Sequence, residues 1–154
     1  LLFIPGTMDF GEARHPSISR ILVPTWDSVV NGRSNWGIPK DRADFDWARN
    51  KDGDRWRVTS DGRELCAFEF TGPTGVRLPF RSSWVPRGLG TLAQRRDGRT
   101  YYYRPEATGS LRLCRLRRWC FDRELFPDLS RASVLTALRI EGFRMVFPVA
   151  RIVE

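Results

Sequence analysis

The chain has 154 residues, of which 41% are hydrophobic and 29% charged, and it carries a formal charge of +8 at pH 7. This length and composition allow a buried core and exclude a disordered protein, and no apolar run is long enough to span a membrane. The positive charge comes from 24 arginines and two lysines spread along the chain, without a helix-turn-helix, zinc-finger or RNP signature, so we predict no nucleic-acid partner and no membrane partner.

The first part of the chain predicts one strand and one short helix. It opens without an initiator methionine, inside a strand-like segment, so we expect the natural N-terminal part to lie outside this sequence. Residues 17–23 form a β-rich run that ends at Pro24. Either Thr25 or Asp27 can cap a helix over residues 27–36.

The rest of the chain predicts strands joined by tight turns. The pairs Asp61-Gly62 and Asp97-Gly98 indicate two hairpins, with strands over residues 55–59, 64–70, 89–94 and 100–103. The remaining predicted elements are a strand over residues 111–121 with a bulge near Cys114 and Arg115, one or two helical turns over 123–129, and a last strand over 135–147. Many strands and little helix indicate an antiparallel barrel or sandwich, and we predict a single domain over residues 1–154.

The cysteines and the single histidine do not form a metal-binding pattern. Cys66, Cys114 and Cys120 are odd in number and lack CxxC spacing, and His15 stands apart from them in a polar stretch typical of a surface. We therefore predict no metal site and no cofactor. Reduced, half-buried cysteines would suit a cytoplasmic protein.

The most unusual segment spans residues 31–40 and reads Asn-Gly-Arg-Ser-Asn-Trp-Gly-Ile-Pro-Lys. Pro39 disfavours the helical conformation at Ile38, so the chain should leave any helix and extend there. Trp36 and Ile38 supply apolar bulk near Lys40. In a chain that uses arginine for nearly every cation, a lysine in this setting is a candidate nucleophile, because guanidinium stays protonated and does not attack carbonyls. Lys51, by contrast, lies in a polar turn.

An amine must be neutral to attack a carbonyl, so the pKa of a lysine decides what fraction of it can react at a given pH. A free lysine has a pKa near 10.4, so less than about 0.1% is neutral at pH 7. Lowering that pKa by ~3 units costs the charged form roughly 4 kcal/mol. Burial, or a nearby cation such as Arg33, can supply this free energy.

The spacing Gly-Arg-x5-Pro-Lys resembles the active-site segment of acetoacetate decarboxylases, and Asn-Trp-Gly-Ile-Pro-Lys is similar to its form in distant members of that superfamily. Residues 126–129 and 142–148 resemble, more weakly, the closing strands of the family. On this resemblance Lys40 matches the lysine that forms a Schiff base with a keto-acid substrate. Arg33 matches the arginine of the motif, with a structural or charge-setting role. The implied fold is a mainly β, antiparallel, cone-like β-barrel with one or two short helices, in a homo-oligomer.

Two positions depart from the pattern of that family. Asp41 replaces a second lysine, and Ser34 replaces an acidic residue that follows the arginine of the motif. A carboxylate close to Lys40 would raise its pKa, although in an extended chain Asp41 should point to the opposite face.

These departures leave two functions open. The first is a Schiff-base lyase acting on a β-keto acid or related oxo acid, or an aldolase or dehydratase using the same ketimine chemistry. The second is a non-catalytic barrel that binds an apolar or carboxylated small ligand. The candidate catalytic residues are Lys40 and Arg33. The candidate substrate-binding residues are Ser34, Asn35, Trp36, Ile38 and Gln94, the last because its strand can face a barrel interior.

Overall fold

The computed structural model describes residues 1–11 and 13–154, and most of them lie in strands. The strands are β1 (Leu2–Phe3), β2 (Gly6–Asp9), β3 (Arg14–Ser17), β4 (Arg20–Val23), β5 (Lys40–Arg42), β6 (Asp44–Asn50), β7 (Gly53–Ser60), β8 (Arg63–Thr71), β9 (Thr74–Arg81), β10 (Leu92–Arg96), β11 (Arg99–Tyr103), β12 (Glu106–Cys114), β13 (Leu116–Phe121), β14 (Ala137–Val146) and β15 (Arg151–Val153). The helices are α1 (Trp26–Trp36) and α2 (Arg87–Gly90), with a 3-10 turn at Ser82–Trp84. The prediction of a mainly β fold is confirmed.

The strands of the described residues form five sheets. Their strand orders are β1-β4-β5, β10-β11-β15, β14-β12-β9, β13-β8-β7-β6 and β2-β3. Within the described part of the chain, none of these sheets closes into a barrel. No helix of residues 1–11 and 13–154 is long and apolar enough to cross a membrane.

The chain divides into two compact units, each built from separate segments. The first comprises residues 1–42, 80–108 and 143–154, and the second comprises residues 43–79 and 109–142. Lys40 and the other predicted site residues belong to the first unit. The single domain expected from the sequence stays a prediction.

The first unit contains a β-α-β crossover that the sequence prediction did not include. Strands β4 and β5 pair in parallel, with Ile21 opposite Lys40 and Val23 opposite Arg42. Helix α1 connects them, as a parallel pair requires a crossover connection. The helix begins after Thr25, whose side chain accepts a hydrogen bond from the Ser28 amide at 3.3 Å. The predicted helix is therefore confirmed, with Thr25 as its cap.

The core of the first unit lies around this crossover and the β10–β11 hairpin. Its buried members are Ile18, Ile21, Ile38, Leu92, Tyr101 and Tyr103, with Val23, Trp36, Phe147 and Ala150 packed against them. The predicted hairpin at Asp97-Gly98 is confirmed, because both turn residues have positive φ, as this tight turn requires. Its first strand begins at Leu92, later than expected, since residues 87–90 form α2.

The second unit contains the other predicted hairpin. Strands β7 and β8 pair through the Asp61-Gly62 turn, and β6 and β13 flank them. The single strand expected over residues 111–121 is wrong, because the chain breaks at Arg115 into β12 and β13 of different sheets. The reason is that the Arg115 backbone bonds to Thr71 instead, through its amide to the Thr71 hydroxyl at 2.9 Å and its carbonyl to the Thr71 amide at 2.8 Å. The register shift lies further on, between Leu116 and Arg118.

Candidate functional site

The exit from α1 determines where Lys40 lies. Gly37 follows the helix with φ 62°, in the left-handed region, and its amide bonds to the Gly32 carbonyl. The Ile38 amide donates to the same carbonyl at 3.1 Å. A Cβ at Gly37 would lie 2.7 Å from the Tyr101 ring, so glycine is required for space as well as for φ. The chain then leaves the helix through Pro39, where the Lys40 amide donates to the Ile38 carbonyl at 2.9 Å, and enters β5.

The Lys40 side chain lies across one face of α1. A Cβ at Gly32 would lie 2.2 Å from Cδ and 2.4 Å from Cε of Lys40, so only a glycine leaves room for the lysine side chain in this position. Beyond Gly32, the Lys40 Nζ donates to the Ser28 Oγ at 3.3 Å. We call this feature, formed by Ser28 and Gly32, the Lys40 groove. The centroid of the Phe147 ring lies 6.0 Å from Nζ.

The environment of this amine changes its ionisation. Burial lowers the pKa of Lys40 from the ordinary value of 10.5, because a partly desolvated ammonium is less stable than one in water. The cause is burial and not the charge of Arg33, which the sequence offered as a second source. A lowered pKa increases the neutral, nucleophilic fraction at neutral pH.

Asp41 lies beside Lys40 in sequence but is held by two arginines. Its Oδ1 accepts from the Arg33 guanidinium at 2.7 Å and its Oδ2 from the Arg20 guanidinium at 3.0 Å. Adjacent residues of an extended strand point to opposite faces. The Asp41 carboxylate is thus committed to these two guanidinium groups, while Nζ of Lys40 lies at Ser28.

Arg33 contacts the backbone of the site rather than the amine. Its Nε donates to the Lys40 carbonyl at 2.9 Å, while its other nitrogen binds Asp41. With side-chain exposures of 40% and 45%, the Arg33–Asp41 ion pair contributes little stability, about 0–1 kcal/mol. Its effect is to fix the start of β5 against the last turn of α1.

The two apolar residues of the motif lie in or against the core. Ile38 is fully buried. The Trp36 indole donates to the Pro148 carbonyl at 2.7 Å, and its ring lies 5.6 Å from that of Phe147. Trp36 and Phe147 therefore form an aromatic wall on the side of the first unit that contains Lys40.

Three predicted substrate-binding residues are not brought to the amine by the contacts of the described residues. Ser34 is exposed and lies about 200° around α1 from Gly32, at 100° per residue. Asn35 is also exposed. Gln94 faces the interior as expected, but its amide is used by the backbone: with the amide in the orientation that satisfies both of its polar atoms, its oxygen accepts from the Ile18 amide at 2.6 Å and its nitrogen donates to the Ile18 carbonyl at 3.2 Å. Their contact with substrate stays a prediction.

Two further groups lie close to this core, His15 half-buried and Tyr103 buried. His15 is not a plain surface residue, because its ring packs 5.5 Å from Tyr102 and 6.2 Å from Phe10. The Tyr103 hydroxyl is buried beside the Gln94 amide but makes no hydrogen bond of good geometry within the described residues. Burial raises the pKa of Tyr103 above its ordinary value.

The cysteines do not gather around the site. Cys66 is buried, Cys114 is half-buried and Cys120 is exposed, and all three are free thiols. In residues 1–11 and 13–154 there is no group of three or more His, Cys, Asp or Glu side chains arranged to hold a metal ion.

Sequence reasoning missed the residues that surround the amine, namely Ser28, Gly32 and Phe147. The signal for the first two was present, since positions four apart on a helix share one face. The sequence did not show that the Lys40 side chain packs back against that face of α1. Phe147 lies more than 100 residues further along the chain, and only tertiary structure brings it near.

Comparison with known proteins does not identify a family. No protein-family model matches the chain, and no curated protein matches it. The motif around Lys40 and the geometry of its amine are therefore the basis on which a function can be argued.

Proposed function

We propose that this protein is a divergent member of the acetoacetate decarboxylase-like superfamily and a Schiff-base lyase acting on a β-keto acid or related oxo acid. The observation that carries the proposal is the Lys40 amine, which lies in the Lys40 groove with its pKa lowered by burial. Of the two lysines in the chain, Lys40 is the one in the motif that resembles this superfamily.

The proposed chemistry uses the neutral amine as its starting point. Nζ of Lys40 attacks the ketone carbonyl, a carbon–nitrogen bond forms, and the carbonyl oxygen leaves as water. The resulting iminium accepts the electron pair of the carbon–carbon bond as carbon dioxide departs, which gives an enamine. The enamine carbon then takes a proton, and water hydrolyses the imine to release the ketone and free Lys40. The iminium is the electron sink, so this reaction needs no cofactor.

The other residues of the motif support the amine in this proposal. Arg33 and Arg20 neutralise Asp41, so that its carboxylate does not pair with the ammonium of Lys40 and raise its pKa. Trp36 and Phe147 provide an apolar wall that suits the non-carboxylate part of an oxo acid. Arg33 therefore acts as a positioning residue in this scheme.

The resemblance also implies features of the whole protein, which we include in the proposal. These are a cone-like antiparallel barrel and assembly into a homo-oligomer, and we add a cytoplasmic location, which reduced cysteines would suit. The several open β-sheets of the described residues are compatible with strands that would complete such a barrel in the full assembly. Mass measurement in solution tests the oligomer directly.

We expect sodium borohydride to trap a substrate adduct on Lys40. When the protein is incubated with acetoacetate and reduced, peptide mapping should place the added mass on residue 40, because borohydride converts the imine to a stable secondary amine. Lys40→Met should lose the adduct and lower any decarboxylation rate by at least about a thousandfold, as expected when a covalent nucleophile is removed.

The matched control is Lys51→Arg, which removes the other lysine from an exposed turn and should leave the adduct in place. An adduct on Lys51 or on the N-terminal amine alone would contradict the proposed role of Lys40. If an oxo acid binds with a measurable affinity but no adduct forms on any amine, the protein is the non-catalytic binder that Ser34 and Asp41 favour.

A further inference from the structure

The Lys40 groove combines a glycine and a hydroxyl, and the packing of the lysine methylenes alone would not require the hydroxyl. Ser28 and Gly32 are four residues apart and therefore share one face of α1. The lysine methylenes cross this face at Gly32, and Nζ ends 3.3 Å from the Ser28 hydroxyl. The side chain is thus guided along the helix to one polar atom.

The partner of this amine is a hydroxyl, although a carboxylate lies nearby in sequence. A carboxylate only accepts hydrogen bonds, so it holds a lysine in its charged form. A hydroxyl accepts from an ammonium and can also donate to the lone pair of a neutral amine. The acid next to Lys40 in sequence, Asp41, is occupied by Arg20 and Arg33.

The position of the hydroxyl along α1 has a second effect. Ser28 is the third residue of an 11-residue helix. The first turn of a helix carries a partial positive charge from its unpaired amides, which disfavours a nearby ammonium. Ser28 therefore holds the amine at this turn, which also contains Asp27, and next to the Phe147 ring.

We propose that Ser28 is a positioning residue for the Lys40 amine and holds it in both protonation states. The lack of a side chain at Gly32 leaves the space through which the lysine methylenes reach Ser28. The inference rests on the proposed function of Lys40 as a Schiff-base nucleophile. Its consequence is that the reactive orientation of the amine depends on a hydroxyl at position 28 and on the lack of a side chain at position 32.

The test uses two readouts on the full chain. Competitive labelling with acetic anhydride as a function of pH gives the titration midpoint of Lys40 without any substrate. Borohydride trapping with acetoacetate as the probe gives the rate of imine formation at a pH where the amine is neutral.

For Ser28→Ala we expect the labelling midpoint to move to lower pH, because the ammonium loses its acceptor. The trapping rate at high pH should fall about tenfold, the kinetic equivalent of one lost hydrogen bond. Ser28→Thr keeps the hydroxyl and should restore both values. In Gly32→Ala the added methyl group would lie 2.2 Å from Cδ of Lys40, so the lysine side chain must shift away from Ser28 and its midpoint should rise towards the ordinary lysine value of 10.5.

Val30→Ala is the matched control, since Val30 is 60% exposed on the opposite side of α1; both readouts should stay within about twofold of the wild type. A variant that only weakened folding would lower the trapping yield without moving the midpoint. The inference is overturned if Ser28→Ala changes neither readout.

The two proposals can fail separately. If wild-type Lys40 does not trap acetoacetate but Ser28→Ala still moves its labelling midpoint, the lyase function is wrong while the positioning of the amine by Ser28 is supported. If wild-type trapping succeeds and Ser28→Ala leaves the rate and midpoint unchanged, the lyase stands and Ser28 has no such role.

Discussion

Lys40 and Asp41 show how adjacent residues can have opposite roles in one short strand. The lysine crosses a helix face to Ser28, while the aspartate binds Arg20 and Arg33. The alternation of an extended chain separates the two charges, as the sequence predicts. The identity of the partners was not predictable, because Arg20 lies on the preceding strand and Arg33 on the intervening helix.

At the residue scale, Gly37 is a position where we expect a single added methyl group to be costly. Gly37→Ala places a side chain at φ 62° and brings its Cβ to 2.7 Å from the Tyr101 ring. We expect the free energy of unfolding to fall by about 2–4 kcal/mol, as the sum of backbone strain and overpacking. Urea unfolding measures this change.

The control for that prediction is Gly62→Ala. Gly62 also has a positive φ, 78°, but no atom of the residues that the structure describes lies within 4 Å of a Cβ built there. It should therefore cost only the strain of the left-handed conformation, about 1 kcal/mol. Equal losses in the two variants would mean that the contact with Tyr101 is not important.

Among the elements, α1 follows from its local sequence, whereas the parallel pairing of β4 and β5 depends on contacts between segments that are distant in the chain. The helix was predictable from its cap and from the glycine and proline that follow it. The strand at Lys40–Arg42 was not, because three residues are too few to show a period. Its parallel pairing with β4 is a property of the crossover and not of the residues in the strand.

We expect the cap of α1 to be worth a measurable amount of stability. Thr25→Ala removes the side chain that accepts from the Ser28 amide and should lower the free energy of unfolding by about 1 kcal/mol. Thr25→Ser keeps the oxygen and should lose less than half of that. Thermal unfolding of the three proteins distinguishes them, and an unchanged midpoint in Thr25→Ala would rule out the cap.

The break between β12 and β13 shows the opposite case at this scale. Residues 111–121 contain enough apolar and β-forming side chains to be read as one strand. The backbone of Arg115 pairs with Thr71, and this long-range contact ends one strand and starts another. A residue more than 40 positions away thus decides the boundary.

For the whole molecule, the buried thiol of Cys66 predicts a loss of stability in alkali. Burial raises the pKa of Cys66 to about 12, against 9.0 for a thiol in water. The folded state keeps a proton that the unfolded state loses, so the stabilisation is complete below pH 9 and disappears as the pH rises towards 12. Three pKa units correspond to at most about 4 kcal/mol.

We therefore expect the free energy of unfolding to fall between pH 9 and 11, and to fall less steeply in Cys66→Ala. Lys40 acts with the opposite sign, because its lowered pKa penalises the folded state below that pKa, and this penalty is relieved as the pH approaches 10.5. Denaturant unfolding at several pH values checks the prediction. Val30→Ala, which alters an exposed side chain that does not titrate, is the control, and a slope unchanged by Cys66→Ala would contradict the prediction.

By itself the sequence determined the mainly β class, the two Asp-Gly hairpins, the helix before the motif and the choice of Lys40 as the residue of interest. These follow from short-range chemistry: turn residues with positive φ, a hydroxyl cap, and a proline that ends a helix. Tertiary structure alone decided the parallel crossover, the capture of Asp41 by two arginines, and the delivery of the Lys40 amine to Ser28. Each of these depends on contacts between segments that are distant in the chain, and the free energy of such contacts cannot be predicted from a short stretch of sequence.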